Sequence, residues 1–383
     1  MYMRKFGEAR PRFTLRKHHG LHPHQQFQPL PSPTGQAPYH LKLAEVLPED
    51  RMKAVIDGKK LVFHTTGDTG SIQSGTNQYI VAQHMATDLN SSQGADKPAF
   101  FYHLGDVVYY YGEDYHYYGQ FYEPYQNYNA PIFAIPGSHD GAVLDPHAVS
   151  LASFTTNFCA PSPQITPEAG EVLRHTMTQP NVYWTLEAPY ATIIGLYTNV
   201  PEGGMLDQDQ IDWFQNEMKT APENKALIIA MHHPIYSGDT WHSGSAYMGQ
   251  ILDEAMQATR RVPDLVLAAH VHNYQRFTRD YSINGKDYQI PYLVVGAGGY
   301  FHLHHEQLLE GKMVQFGHSF ADERVRLERY CDDRHGFLRL EVTPNEVKGT
   351  YLTVPRPQEK WRVPAQSFDT FAYPLRIPAG MRP

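Results

Sequence analysis

The sequence is poor in cysteine, and this narrows the classes of protein to which it can belong. Only two of its 383 residues are cysteine, Cys159 and Cys331. Two thiols exclude a disulfide framework and a thiolate metal cluster, although they leave open whether the two residues pair with each other. Any bound metal ion must therefore be held by oxygen and nitrogen ligands.

Long apolar runs and an excess of positive charge are also missing. No uninterrupted apolar stretch approaches the roughly 18 residues that cross a bilayer, so we predict no membrane-spanning segment. The net charge of −8 argues against a surface for nucleic acid. The N-terminal residues lack the apolar region of a secretory signal, which favours a cytoplasmic protein. A secreted or periplasmic location stays open if the sequence is truncated.

Short apolar runs recur along the chain, and they predict an α/β fold with buried strands. The runs lie at residues 61–63, 99–102, 132–135, 227–230 and 265–268. Their length is typical of strands buried on both faces. Apolar residues at helical spacing predict helices over 76–90, 207–219 and 247–259. Hairpins or neighbouring strands are predicted for 182–186 with 191–194 and for 337–340 with 349–352.

The chain shows no repeat and no convincing interdomain linker, so we predict an N-terminal arm at residues 1–45 and a single domain over 46–383. The arm mixes proline, glutamine and histidine without a regular period, which is typical of a flexible or loosely docked segment. We interpret the charged residues 302–335 as an inserted loop. Within that loop, we expect His302, His304 and His305 to face solvent.

A polar motif follows each of the five apolar runs. In chain order the motifs are Gly67-Asp68-Thr69-Gly70, Gly105-Asp106-Val107-Val108-Tyr109, Gly137-Ser138-His139-Asp140, Met231-His232-His233-Pro234 and Ala269-His270-Val271-His272-Asn273-Tyr274. Side chains just beyond the carboxyl ends of strands converge on one crevice in an open α/β sheet. Each motif alone is commonly a turn or a strand end, but their recurrence predicts a shared metal site. Oxygen and imidazole ligands without thiolate suit ferric iron, Mn²⁺ and Zn²⁺.

This ordered series resembles that of the metallophosphoesterases, and in particular the purple acid phosphatases among the calcineurin-like phosphoesterases. The resemblance extends over roughly residues 59–352. The family series is Asp-x-Gly, Gly-Asp-x-x-Tyr, Gly-Asn-His-Asp/Glu, a histidine, and Gly-His-x-His. The joint presence of Gly70 and Tyr109 makes the match specific. The resemblance implies a layered β-sandwich flanked by helices, with residues 46–383 as the catalytic domain.

The resemblance also implies two metal ions and their ligands. A ferric ion would be held by Asp68, Asp106, Tyr109 and His272. A second ion, Fe²⁺, Zn²⁺ or Mn²⁺, would be held by Asp106, Ser138, His232 and His270. A phenolate with two carboxylates favours a trivalent ion, and charge transfer from the phenolate would colour the protein. A trivalent ion also depresses the pKa of bound water, so hydroxide would remain available in acid.

The implied activity is hydrolysis of phosphate monoesters by metal-bound hydroxide, with an acidic optimum. The substrate would be a small-molecule or protein phosphate ester, and the product inorganic phosphate. Asp106 would bridge the two ions, while His139, aided by His242, would protonate the leaving group. For both histidines, an ordinary surface or core imidazole is the alternative. The sequence indicates no oligomeric state.

Two positions depart from the family series. Ala269 replaces a glycine, which a strand end tolerates if its φ is negative. Ser138 stands where the family has a metal-binding asparagine. Its hydroxyl extends one bond less from the backbone, so we expect the second ion to be bound more weakly. Two alternatives therefore stay open, a phosphodiesterase with the same metal pair and a metal- or phosphate-binding pseudoenzyme.

Overall fold

The computed structural model describes residues 29–143, 147, 149–198, 204–239, 242–305, 318–320 and 324–377. Within these ranges the strands β1 to β15 are, in chain order, His40–Lys42, Leu61–Thr66, Phe101–His103, Ile132–Ala134, Trp184–Glu187, Ala191–Gly195, Ala226–Ala230, Leu265–Ala268, Tyr274–Ile283, Lys286–Val295, His318–Phe320, Val325–Cys331, Gly336–Val342, Glu346–Thr353 and Gln366–Pro374. The helices α1 to α7 are Leu43–Val46, Glu49–Asp57, Thr76–Ser91, Ser138–Gly141, Ala152–Phe158, Gln208–Thr220 and Ala246–Thr259. Short 3₁₀ or π turns lie at Gly94–Asp96, Asp114–His116, Tyr118–Tyr122 and Pro167–Ala169.

The strands form two mixed sheets. One sheet has six strands in the order β15-β14-β13-β2-β3-β4, and the other has nine in the order β1-β5-β6-β7-β8-β10-β9-β12-β11. Strands β2, β3 and β4 run parallel to one another, as do β6, β7, β8 and β10. Parallel strands place their carboxyl ends at the same edge of a sheet. The motifs that follow these strands are therefore brought to one edge.

The sheets pack face to face because alternate residues of each strand are buried on opposite faces. In β3, Tyr102 joins the cluster between the sheets, and Phe101 joins an outer cluster with α3 and α5. In β8, Leu267 lies between the sheets, and Val266 joins an outer cluster with α6 and α7. The predicted α/β sandwich flanked by helices is confirmed.

Most elements predicted from the sequence are present. The three predicted helices are α3, α6 and α7, and the five apolar runs form β2, β3, β4, β7 and β8. The predicted neighbours β5 with β6 and β13 with β14 pair antiparallel. Strands β9, β12 and β15 were not predicted. Strand β9 mixes buried residues with partly exposed polar ones, so it has no continuous apolar run.

Two segments predicted to lack regular structure contribute strands to the nine-stranded sheet. Within the predicted arm, β1 pairs with β5. Within 302–335, residues 325–331 form β12, which pairs with β9, so the loop interpretation is wrong for this part. Residues 1–28, 306–317 and 321–323 lie outside the described ranges. The division into an arm and one catalytic domain stays a prediction.

The described part of the chain contains neither a disulfide nor a membrane-spanning helix. Cys159 and Cys331 are both free and buried. Cys159 packs in the outer cluster with α3 and α5, whereas Cys331 packs between the sheets. The two thiols therefore belong to different parts of the core. Among the described residues, no helix combines the length and the apolar character needed to cross a bilayer.

Candidate metal centre

The carboxyl ends of five parallel strands bring the predicted site residues to one edge of the sandwich. From the six-stranded sheet, β2, β3 and β4 lead to Asp68, Asp106 and the Ser138-His139 pair that begins α4. From the nine-stranded sheet, β7 leads to His232, and β8 leads to His270 and His272. One sheet thus supplies the carboxylates, and the other supplies most of the imidazoles.

Three of these residues have a left-handed backbone. The angle φ is 54° at Asp68, 55° at Asp106 and 67° at His270. This conformation is uncommon outside glycine and costs about 1–3 kcal/mol for each residue. The Asp68 N–H donates to the Gly105 carbonyl at 3.0 Å, and the His270 N–H donates to Asp68 Oδ2 at 2.7 Å. Hydrogen bonds between the loops therefore hold these conformations in place.

The His232 imidazole lies between the two carboxylates. Its Nε2 is 3.3 Å from Asp106 Oδ2 and 3.9 Å from Asp68 Oδ1. Its Nδ1–H donates to the Leu104 carbonyl at 2.8 Å, which makes Nε2 the nitrogen available to a metal ion. This Nε2 is buried and has no hydrogen-bond partner among the described residues. A cation would satisfy the nitrogen and both carboxylates together.

The electrostatics of these three groups favour a bound cation. Burial, together with the nearby Asp106 carboxylate, raises the pKa of Asp68 well above its ordinary value. Burial disfavours the charged form of His232, but the Asp106 and Asp68 carboxylates outweigh this effect and raise its pKa to about 9. The histidine proton thus compensates buried negative charge. A multivalent cation can take over that role, because buried carboxylates require a positive partner.

Tyr109 and His272 also contact Asp68. The Tyr109 O–H donates to Asp68 Oδ1 at 3.2 Å, and His272 Nε2 lies 3.4 Å from the phenol oxygen and 3.7 Å from Asp68 Oδ1. Burial raises the pKa of Tyr109 well above its ordinary value, so a phenolate here requires a cation. The Gln120 amide accepts from the Tyr109 N–H at 2.9 Å and donates to its carbonyl at 3.1 Å. The sequence alone did not indicate that Gln120 holds the backbone of Tyr109 in place.

A second possible ligand set consists of Asp106, His232 and His270. One ligand atom from each lies within 4.8 Å of the others. Ser138 is half-buried and lines the cavity in front of this set. The predicted ligands are therefore gathered in one place, while their roles as ligands stay predictions.

Asp140 fixes the loops that carry the site. Its carboxylate accepts from the backbone N–H of Gly137 at 2.8 Å and from those of Val107 and Val108 at 3.1 Å. Burial and the Asp106 charge raise its pKa to about 6. Gly137 is required for the close approach of these loops, because a Cβ there would lie 2.2 Å from Asp106 Oδ1.

A cavity of about 1200 Å³ opens in front of the predicted ligands, and both predicted proton donors line it. The His139 backbone N–H donates to Asp106 Oδ1 at 2.8 Å, and its Nδ1–H donates to the Tyr110 carbonyl at 2.9 Å. The His242 ring lies 4.5 Å from the His270 ring, measured between centroids. Both histidines therefore lie beside the ligand sets.

The further histidines that line the same cavity include His302, His304 and His305. His304 is only 9% exposed, and its Nδ1 lies 2.9 Å from Asp239 Oδ2, so the expectation that it faces solvent is wrong. His305 is exposed, as expected. These residues reach the site because β10 runs parallel to β8 and ends at the same edge. The glycines of residues 296–299, directly after an apolar run, were the available sequence signal.

Comparison with known proteins gives a family match and distant relatives. The model of the calcineurin-like phosphoesterase family matches residues 61–274, more than half of the chain. Purple acid phosphatase 21 of Arabidopsis thaliana is 27% identical over 130 residues, which cover 32% of this chain and 28% of that protein. Probable purple acid phosphatase 20 of the same plant is 27% identical over 168 residues, which cover 42% and 36%. The chain thus spans about a third of the length of these curated relatives.

Solved structures share the fold at low sequence identity. A purple acid phosphatase, PPD1, from yellow lupin (Lupinus luteus) seeds superposes with a TM-score of 0.57 at 16% identity, over 82% of this chain and 53% of that one. GAP50, the anchor in the inner membrane complex of Plasmodium, superposes with a TM-score of 0.54 at 14% identity, over 83% and 89%. These similarities concern the sandwich architecture alone.

Proposed function

The chain belongs to the calcineurin-like phosphoesterase family, whose members are generally metal-dependent, and from this we propose that it hydrolyses phosphate monoesters at a two-metal centre. The observation that carries the proposal is the position of His232 Nε2 between the buried carboxylates of Asp68 and Asp106, at 3.9 and 3.3 Å. The substrate would be a small-molecule or protein phosphate ester, and the product inorganic phosphate.

The donor atoms suggest which ion each ligand set would hold. The first ion would be ferric iron, because carboxylates and a phenolate are anionic oxygen ligands. The second would be Fe²⁺, Zn²⁺ or Mn²⁺, because its set contains two neutral imidazoles. The first set is Asp68, Asp106, Tyr109 and His272, and the second is Asp106, Ser138, His232 and His270. When bound, the ions would activate water and neutralise charge on the phosphoryl group.

The residues of the chain would position the substrate and supply one proton. The Nδ1–H of His139 is committed to the Tyr110 carbonyl, so its Nε2–H is the group that would protonate the leaving oxygen. His242, on the cavity wall beside His270, would assist. An acidic optimum is proposed because a trivalent ion would keep hydroxide available as pH falls.

The decisive test combines metal analysis, a visible spectrum and ester hydrolysis by the full chain. We expect Asp106→Asn to abolish hydrolysis and to lose both ions, because it removes the charge common to the two ligand sets. Asp57→Asn, on the exposed surface of α2, is the matched control, and it should keep both its hydrolytic activity and its two ions. Retained metal and turnover in Asp106→Asn would refute the assignment.

Substrate comparison separates the proposed activity from its alternatives. An aryl phosphate monoester should be cleaved faster than the matching diester, with the larger rate in acid. The cavity of about 1200 Å³ leaves room for a second substituent, so faster cleavage of the diester would identify a phosphodiesterase. Full metal occupancy without hydrolysis of either ester would indicate a pseudoenzyme.

A further inference from the structure

We propose that His302 and His304, together with His272, hold a third divalent cation next to the two-metal centre. One ring nitrogen from each of these three residues lies within 4.8 Å of the others. His302 and His304 belong to neither ligand set proposed above. The inference therefore concerns a separate ion and does not depend on phosphatase activity.

The His304 ring has the hydrogen-bonding pattern of a metal-binding histidine. Its Nδ1–H donates to the buried Asp239 carboxylate at 2.9 Å, which makes Nε2 the nitrogen available to a cation. The His304 backbone N–H donates to the His272 carbonyl at 3.0 Å, and the Asn273 amide donates to the His304 carbonyl at 3.0 Å. A carboxylate behind an imidazole fixes the tautomer and the ring orientation that a metal ion requires. This support is already in place at His304.

His272 provides the second nitrogen. Its Nε2 lies beside Tyr109 and Asp68, whereas its Nδ1 is buried without a hydrogen-bond partner among the described residues. Buried polar atoms without a partner are uncommon. Binding of the third cation at Nδ1 would satisfy this atom and make His272 a bridging imidazolate, with its proton released to solvent.

The ligand set indicates the kind of cation. Three imidazoles favour Zn²⁺ over the hard ions Mg²⁺ and Ca²⁺. His302 is exposed and lines the cavity, so a fourth coordination position would be open to water or to a phosphate oxygen. The buried Asp239 carboxylate lies directly behind His304 and offsets part of the repulsion from the neighbouring ions.

Zinc stoichiometry of the full chain tests the proposal. When zinc also replaces the ion in the site proposed for ferric iron, we expect three zinc ions in the wild-type protein at saturating Zn²⁺, and two in His302→Ala and in His304→Ala. His305→Ala removes an exposed imidazole from the same segment and should retain three ions. Asp239→Asn should weaken the third zinc on the order of 10- to 100-fold while leaving the other two bound.

Anomalous diffraction from zinc-loaded wild-type crystals provides a measurement that needs no variant. A third zinc peak contacting His272, His302 and His304 supports the proposal. Absence of that peak, or equal zinc content in the wild type, His302→Ala and His304→Ala, overturns it. Because the readout is zinc content, failure to hydrolyse phosphate esters would count against the proposed function alone.

Discussion

Among single residues, Tyr109 offers the clearest test of whether the first site holds ferric iron. The phenol oxygen lies 3.2 Å from Asp68 Oδ1, and the ring packs against Tyr300 with centroids 4.5 Å apart. Tyr109→Phe removes the oxygen and keeps the ring, so we expect a folded protein without the visible absorption band of an iron phenolate. Tyr110→Phe, whose hydroxyl contacts Tyr300, is the control and should keep the band. A normal spectrum in Tyr109→Phe would contradict iron at this position.

Ser138 gives a second prediction at the same scale. We expect Ser138→Asn to bind the second ion about tenfold more tightly, which corresponds to about 1.4 kcal/mol. The reason is that an amide oxygen reaches one bond further and is a better neutral ligand than a hydroxyl. Equilibrium dialysis against Zn²⁺ measures the change, and Ser91→Asn, on the exposed end of α3, is the control. An unchanged dissociation constant would show that residue 138 does not contact the ion.

The sequence revealed the residues that follow apolar strands but not those that support them. Asp68, Asp106 and His232 could be identified because each stands in a short motif after such a strand. Asp239 and His304 are 65 positions apart, and no local pattern indicates their contact. Such pairs depend on how separate loops pack. A single sequence does not show this packing.

At the scale of elements, burial decides which strands could be predicted. All residues of β7 and β8 are buried, so these strands appear as continuous apolar runs, and buried β2 begins with such a run. Strand β15 lies at the edge of the six-stranded sheet and is mostly exposed, and β1 has only three residues. Exposed edge strands carry polar residues, so their sequences lack the continuous apolar run from which a strand is predicted. Burial of the whole strand mattered more than its place in the sheet, because the buried edge strand β4 was predicted and the partly exposed interior strand β9 was not.

Besides its pairing with β5, strand β1 contacts two carboxylates through one histidine, which makes its contribution to stability depend on pH. His40 Nδ1 lies 2.7 Å from Glu187 Oε1, and Nε2 lies 2.6 Å from Glu217 Oε2. The hydrogen bond to Glu217, with further help from Glu187, raises the pKa of His40 above 6.5 although burial opposes this. A raised pKa in the folded state adds stability that is fully present below 6.5 and is lost as pH rises through the folded value.

We therefore expect His40→Ala to lower the free energy of unfolding more below pH 6.5 than in alkaline solution. Denaturant titrations of both proteins across this range measure the difference. His175→Ala, which removes an exposed imidazole, should leave the pH dependence as it is in the wild type. An equal loss at every pH would show that the charge of His40 contributes nothing.

At the scale of the whole molecule, the proposed ions would connect the two sheets. Asp68, Asp106 and Tyr109 follow strands of the six-stranded sheet, whereas the ligand histidines 232, 270 and 272 follow strands of the nine-stranded sheet. A ligand that binds only the folded state stabilises it by about 2.7 kcal/mol when its free concentration is 100 times its dissociation constant. Each ion would therefore stabilise the sandwich as a unit.

Metal removal should consequently lower the melting temperature of the wild-type protein. Calorimetry before and after treatment with a chelator measures the shift, and restored metal should reverse it. Asp106→Asn is the control, because a protein that binds neither ion of the two-metal centre should show a smaller shift. Equal melting temperatures of the wild type with and without chelator would mean that the ions do not couple the sheets.

The two buried cysteines can show which part of the protein opens, because each lies in a different cluster of the core. Cys159 is 1% exposed and Cys331 is 3% exposed, and burial raises the pKa of Cys331 to about 12. Alkylating reagents attack thiolates, so each sulfur reacts only after its surroundings separate. Since one thiol packs beneath α3 and α5 and the other between the sheets, mass spectrometry of alkylated peptides would distinguish detachment of the outer helices from separation of the sandwich.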